Sequence, residues 1–294
     1  LHALYLEASG KTLKIRATNL AVGVEIEVPA TVAQEGIVVI KGDVLLSVCN
    51  NLPVTETIAL TLDHENVTIQ SQKTTTIVKA LPSEDFPQLP LIQGDSFEIK
   101  SSLLQESIRS VYFAAAVSEI KPEISSIFIY AEQGILYSVA TDSFRLAEKK
   151  ITVKNIPDIT KILIPYKNIP DILRVLEVCG DVTKITYTRN QLSLYSNGIY
   201  FTSRLIDGGF PTYQVIIPKE EQTKVDGEDK QSRISNLLVS YSMYYPIINI
   251  VNKNTAPDKI NQARYIAITN LIINQVNLKM PITTLLVCLC NQVI

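Results

Sequence analysis

Histidine, cysteine and methionine are scarce in this chain of 294 residues, and each scarcity removes a class of chemistry. The two histidines are His2, at the first residues, and His64, in an expected hairpin turn beside Asn66. Neither belongs to a nucleophile or metal motif. The four cysteines, Cys49, Cys179, Cys288 and Cys290, are too few and too irregularly spaced for a disulfide framework and read as reduced thiols. Cys288 and Cys290 form a Cys-x-Cys pair, but zinc needs further ligands at suitable spacing and the sequence supplies none. No metal and no cofactor is expected. None of the eleven glycines belongs to a phosphate-binding loop. No apolar run approaches the ~18 residues needed to cross a bilayer, and no signal peptide is visible. A cytoplasmic protein without a membrane partner is expected. Asp142 is the one carboxylate that could be imagined as a general base; after a strand it is expected to be a turn former bonded to its own backbone. These absences together exclude catalysis.

What is present suits a packed core: 46% of residues are hydrophobic and 19% charged. The net charge of −2 hides a split. Residues 230–294 hold six Lys and Arg against Asp258 alone, which sums to +5, so residues 1–229 sum to −7. A split of that size calls for an explanation.

An internal repeat organises the chain. Leu6–Val28 resembles Ile129–Ile151 at an offset of 123, each reading as strand, glycine-containing turn, strand ending in Ala-Thr-Asn or Ala-Thr-Asp, then strand. Leu81–Pro87 pairs with Leu205–Pro211 at an offset of 124, Leu81 falling on Leu205. Asp43–Leu52 and Lys167–Leu176 read as short amphipathic helices at that offset. Each is followed by two alternating strands, Thr57–Leu62 and Asn66–Ser71 in the first copy, Lys184–Thr188 and Gln191–Ser196 in the second. The second copy opens with a helix over Ser101–Ala115, with Ser101 or Ser102 as N-cap and Leu103, Leu104, Ser107, Ile108 and Val111 as its buried stripe. The chain begins too late to hold that helix in the first copy, and its true N-terminus is expected to precede Leu1. Gln88–Gly94 reads as an extended linker. The fold class is α+β, with helices on one face of antiparallel sheets.

Four segments carry a family resemblance: Ala17–Leu20, Leu81–Pro87, Ala140–Ala147 and Phe210–Tyr213. In this order and spacing they resemble the bacterial DNA polymerase III beta subunit, the sliding-clamp family, from about Leu1 to Lys219. The resemblance implies repeated DNA-clamp domains: an N-terminally truncated first over 1–90, a complete second over 95–218, and a divergent, truncated or frameshifted third over 219–294. It further implies a head-to-tail homodimeric ring around duplex DNA, with helices lining the hole and sheets forming the wall. The chain departs from the family at Ser143 and Phe144, where the usual pattern has Gly-His, and neither the family's third domain nor its C-terminal ending is recognisable.

The resemblance also implies a cleft in which polymerase and clamp-loader subunits seat short linear motifs rich in Gln, Leu and Phe. Carried over, its apolar floor is Ile124, Leu146, Pro211 and Ile216, with Thr141, Ser143 and Arg145 around it, and Lys121 where the family usually has Arg. Sequence-independent attraction to duplex phosphates would fall to Arg109, Lys167 and Arg174 on the helices, with Lys73, Lys79 and Arg204 near strand ends as a second tier. An acidic outer wall would account for the −7 of residues 1–229 by steering the duplex into the hole. The rival is a repetitive, non-enzymatic protein-binding scaffold that does not act on DNA. Basic side chains of both repeats gathered on one helical face favour the clamp; a scatter over the sheets favours the rival.

The tail has a foreign composition. Residues 228–294 contain no glycine, eleven Ile, nine Asn and both methionines. A third domain needs turns, and turns use residues that tolerate positive φ. Two readings stand, a shifted reading frame in an AT-rich gene and a divergent third domain. In either case residues 228–294 are expected to pack poorly, and the chain to be monomeric.

Overall fold

The computed structural model describes residues 3–51, 57–71, 74–118 and 120–217. Residues 228–294, with the readings attached to them, lie outside the described residues, as do Lys73 and the Ile216 side chain. Two compact units divide the described chain: residues 3–96 with 178–203, and residues 97–177 with 204–217.

The first unit begins with four strands, β1 (Ala3–Ser9), β2 (Thr12–Thr18), β3 (Val22–Pro29) and β4 (Gly36–Lys41), followed by helix α1 (Gly42–Asn50). A separate three-stranded sheet follows, β5 (Ala59–Asp63), β6 (Asn66–Gln70) and β7 (Thr75–Lys79), in that order. The chain next forms β8 (Asp95–Lys100) and α2 (Ser101–Tyr112), then β9 (Ser126–Glu132), β10 (Ile135–Thr141), β11 (Leu146–Thr152) and β12 (Ile159–Pro165). A 3₁₀ turn over Tyr166–Asn168 leads into α3 (Ile169–Val178), and β13 (Val182–Tyr187), β14 (Gln191–Ser196) and β15 (Ile199–Arg204) complete the strands. Two further sheets result: an eight-stranded one in the order β4-β1-β2-β3-β15-β14-β13-β8, and a four-stranded one in the order β11-β10-β9-β12. The pairings along β4-β1-β2-β3-β15, β14-β13, β11-β10-β9-β12 and β5-β6-β7 are all antiparallel.

The repeat read in the sequence is a repeat of structure. β1 and β9 start at Ala3 and Ser126, and β4 and β12 at Gly36 and Ile159; both offsets are 123 (126 − 3, 159 − 36). Tyr5 lies 5.2 Å from Phe86, centroid to centroid, and their counterparts Phe128 and Phe210 lie 4.9 Å apart. One registration differs from expectation. The Leu81 amide donates to the Val39 carbonyl at 2.7 Å, and it is the Ile206 amide, not that of Leu205, that donates to the Leu163 carbonyl at 2.9 Å. The offset there is 125 (206 − 81). The second copy recovers the register before Phe210 by running one residue shorter through Gly208 and Gly209. A Cβ on Gly208 would stand 2.7 Å from Glu123 Cγ, so glycine is what lets the strand-end pass that close.

Helix α2 lies on one face of the four-stranded sheet. Leu104, Ser107, Ile108 and Val111 are buried as expected, whereas Leu103 is only half-buried and Ser101 takes its place in the stripe. Neither serine caps the helix: the N-cap position is Lys100, with extended backbone and no side-chain cap bond. The helix also ends at Tyr112, not Ala115, because Ala114 and Ala115 donate to Val111 and Tyr112 in tighter turns. α3 is entered through the 3₁₀ turn, which moves its start from Lys167 to Ile169; Pro170 is tolerated because the first helical amides have no partner in any case. α2 and α3 run side by side, with Gln105 Nε2 donating to the Leu173 carbonyl at 3.4 Å and Arg109 paired with Glu177. No helix among the described residues is long and apolar enough to cross a membrane.

Candidate functional site

The candidate cleft starts from a turn that the chain builds twice. In the second unit, Thr141 ends β10 and its hydroxyl donates to the Arg145 carbonyl at 2.7 Å while accepting the Ser143 amide at 3.1 Å. Asp142 Oδ1 accepts the amides of Phe144 and Arg145, each at 3.0 Å, and Oδ2 accepts Arg145 Nε at 2.9 Å. Asp142 is therefore the expected turn former, its carboxylate fully occupied by its own loop. The first copy has the same wiring: Thr18 bonds to Val22 and Leu20, and Asn19 to Ala21 and Val22. Both turns need a left-handed residue at the same place, Leu20 at φ 73° and Ser143 at φ 77°.

Strand register then gathers the candidate residues. Thr141 pairs with Leu146 and Val139 with both Glu148 and Phe128, so Leu146, Glu148, Phe128 and Tyr130 share the sheet face opposite α2. The 206–217 segment crosses that face as a strap. It starts at β12 with the Ile206–Leu163 bond, and Lys161 Nζ donates to the Gly208 carbonyl at 2.8 Å. Phe210 stacks on Phe128 in β9. Tyr213, 1% exposed, exchanges a 2.7 Å hydroxyl bond with Tyr130 and donates to Glu148 in β11. Burial, and then the bond to Glu148, push the Tyr213 phenol up; burial does the same at Tyr130. Pro211 lies between Phe210 and Tyr213, with its carbonyl accepting the Tyr213 amide at 2.7 Å. Leu146 and the strap segment that carries Pro211 are thus on one face.

Ile124 and Lys121 come from the loop after α2. Ile124 and Ser125 donate to the Lys121 carbonyl at 3.2 and 3.1 Å just before β9 begins at Ser126. That is the end of the sheet where Thr141 turns into Leu146. The same loop meets the turn where Arg145 stands over the Phe113 ring at 5.9 Å. Lys121, Ser143, Phe144 and Pro211 are exposed, while Ile124, Arg145 and Leu146 are half-buried. Sequence reasoning took only Pro211 from Phe-Pro-Thr-Tyr and missed Phe210, Tyr213 and Glu148, which hold the strap. The available signal was the alternation of Phe128, Tyr130 and Tyr137 on two neighbouring strands, an aromatic face with no partner of its own.

The basic candidates come out differently. Arg109 on α2 pairs with Glu177 on α3, and Arg174 pairs with Asp171 at 3.1 Å. Burial pushes the Asp171 carboxyl up and Arg174 pulls it back. Lys167 is exposed on the 3₁₀ turn, and Arg204 is exposed at the end of β15. Lys79 pairs with Glu65 at 3.4 Å. In the first copy, α1 carries Asp43 and no Lys or Arg. Basic side chains stand on the described helices of the second copy alone, and there each helix arginine is matched by a carboxylate, so the criterion of a basic helical face in both repeats is not met. Among the described residues, no group of three or more His, Cys, Asp or Glu could hold a metal ion.

Comparison with known proteins bears on the family and the fold. The family model described as DNA polymerase III beta subunit, N-terminal domain, matches residues 1–90, and that of the central domain matches residues 98–212. The chain is 30% identical over 196 residues to the beta sliding clamp of Halalkalibacterium halodurans, covering 65% of this chain and 52% of the relative. To the beta sliding clamp of Treponema pallidum it is 30% identical over 221 residues, covering 74% and 59%. The solved DNA polymerase III beta subunit of Thermotoga maritima superposes with a TM-score of 0.69 at 28% identity, covering 74% of this chain and 60% of that one. A Pseudomonas aeruginosa sliding clamp gives 0.69 at 26% identity, covering 74% and 60%. The chain thus spans about half to three fifths of the length of these relatives. Two successive domain matches and a shared fold establish that the chain belongs to the DNA polymerase III beta-subunit family.

Proposed function

We propose that this chain acts as a sliding clamp: a non-catalytic processivity factor that encircles duplex DNA without regard to sequence and tethers polymerase and clamp-loader subunits through short linear motifs. The two repeats, over 1–90 and 95–218, are its first two clamp domains. The cleft has Leu146, Pro211 and Ile124 as its floor and Thr141, Ser143, Arg145 and Lys121 around it. One observation carries the reading: the strap brings the Pro211 segment onto the sheet face that holds Leu146, at the end where the Lys121–Ile124 loop arrives. A preformed apolar cleft with a few polar groups at its rim suits the burial of one or two partner side chains.

Titration of a labelled peptide ending in Leu-Phe, followed by fluorescence anisotropy, tests this. The wild-type chain should bind it weakly, and Leu146→Asp should abolish binding by burying a charge in the apolar floor. An unchanged isotherm for that variant would falsify the cleft. The ion-paired helix layer favours a second reading, a protein-binding scaffold that does not act on DNA. Peptide binding without any duplex binding at low salt would select it.

A further inference from the structure

The segment after β7 is the first copy's counterpart of the strap, and the two are tethered differently. Strand register divides the sheet face beneath each into matching rows. In the second copy Leu146 pairs with Thr141 in the first row, Glu148 with Val139 and Phe128 in the second, and Lys150 with Tyr137 and Tyr130 in the third. In the first copy the same rows hold Gly23 with Thr18, Glu25 with Arg16 and Tyr5, and Glu27 with Lys14 and Glu7. Phe86 and Pro87 correspond to Phe210 and Pro211 at an offset of 124, so Leu89 is the counterpart of Tyr213 (213 − 124 = 89). Leu89 leans onto the first row: a Cβ on Gly23 would stand 2.3 Å from Leu89 Cδ2, and Gly23 is buried. Tyr213 ends at the second and third rows instead, its hydroxyl donating to Glu148 and meeting the Tyr130 hydroxyl at 2.7 Å. Leu146, in the first row, is left half-buried.

We propose, building on the cleft reading above, that the Tyr130–Tyr213–Glu148 hydroxyl chain keeps the strap off Leu146, the three acting as positioning residues that hold the cleft open. The first copy is an internal control. There the strap residue is Leu89, which has no hydroxyl, and the places of Tyr130 and Glu148 are taken by Glu7 and Glu25, both paired with Arg16. That segment still stays on its sheet, with Phe86 against Tyr5 as Phe210 is against Phe128, but it closes over the first row. A hydroxyl chain is thus not needed to hold a strap down; what it adds is direction. An apolar residue at position 213 would bury most area by packing onto the half-buried Leu146 side chain. A phenol stays with its partners, since leaving would strip a donor from the Glu148 carboxylate, which is only 14% exposed. Lys150, from the third row, holds Glu148 at 3.0 Å and so fixes the acceptor on the side away from Leu146.

Two measurements on the full chain test this, one of which needs no ligand. Leu146→Cys is labelled with a maleimide, and the modified fraction at residue 146 is read by peptide mass spectrometry with and without Tyr213→Leu. If the open arrangement falls to about a tenth of the population, labelling slows about tenfold. With Leu146 in place, the affinity of the Tyr213→Leu chain for the peptide ending in Leu-Phe should fall by the same factor. Tyr213→Phe, which removes the hydroxyl alone, and Glu148→Leu, which removes the acceptor, should move both readouts the same way. Glu148→Gln, which still accepts from Tyr213, should hold them near wild type. If Tyr213→Leu does not fold, judged by circular dichroism, the Tyr213→Phe chain decides the outcome. Residues that only support the fold would lower Tm in these variants and leave labelling and affinity unchanged well below it, and that result would overturn the proposal. Slower labelling with no peptide bound by any form would uphold the tether and sink the cleft; unchanged labelling with intact peptide binding would do the reverse.

Discussion

Ser143 holds a backbone conformation that its side chain opposes. At φ 77° a Cβ crowds the following carbonyl, at a cost of about 1–2 kcal/mol. The turn keeps it there because the Thr141 hydroxyl accepts the Ser143 amide and the Asp142 carboxylate accepts the amides of Phe144 and Arg145, the two residues that follow. Glycine removes the crowding but gives the unfolded chain about 0.5–1 kcal/mol of extra freedom. Ser143→Gly should therefore raise stability by about 0.5–1 kcal/mol, a shift of a few degrees in Tm for a domain of this size, seen by differential scanning calorimetry. An unchanged or lower Tm would mean that the loop is held by something other than this balance. The sequence shows Ser143 as a departure from the family's glycine. It does not show that Leu20 meets the same demand in the first copy, because no residue type there announces a positive φ.

Elements were legible where periodicity is strong and illegible where the backbone ends. Alternation placed the strands to within a few residues, and the helical spacing of Leu104, Ser107, Ile108 and Val111 gave the face of α2 that is buried. The cap failed because Ser101 is pulled inward as part of the stripe, leaving Lys100 at the boundary. The strap was invisible as an element, since it has almost no regular structure and is held by aromatic stacking and a hydroxyl chain between residues as far apart as Tyr130 and Tyr213. A buried polar pair shows how tightly α2 is fitted: the Ser107 and Ser138 hydroxyls meet at 2.5 Å, and both residues are fully buried. Ser107→Ala alone should cost roughly 1–3 kcal/mol, because the Ser138 hydroxyl is left unsatisfied. The double alanine variant should recover much of that loss. Urea denaturation of the three variants measures it, and additive losses would rule out a direct bond.

At the scale of the whole molecule, charge is the deciding quantity. The helix layer of the second copy holds Arg109, Arg174 and Lys167, but Glu106, Asp171 and Glu177 stand among them, so α2, α3 and the turn before α3 sum to zero. The Arg109–Glu177 pair is exposed enough to contribute little to stability and to be readily exchanged for phosphate contacts, whereas Arg174 is held to the more buried Asp171. Duplex binding by this layer should be weak, should fall steeply with salt, and should weaken equally for unrelated sequences in the Arg109→Glu, Arg174→Glu double variant. Electrophoretic mobility or anisotropy over a salt series gives the slope, and a marked preference for one duplex would contradict a sliding role. The duplicated turn bears on how many partners one molecule can hold. The first-copy counterpart of Leu146 is Gly23, and Leu89 from the linker lies so close over it that a Cβ there would stand 2.3 Å from Leu89 Cδ2. The linker is fixed in that position by Tyr200, whose hydroxyl donates to the Pro90 carbonyl and accepts the Ile92 amide. Under the function proposed above, duplication gave two turns of one design, and the linker leucine covers the first. Among the described residues that leaves one socket for a linear motif, so the number of tethered partners would follow the number of copies that assemble.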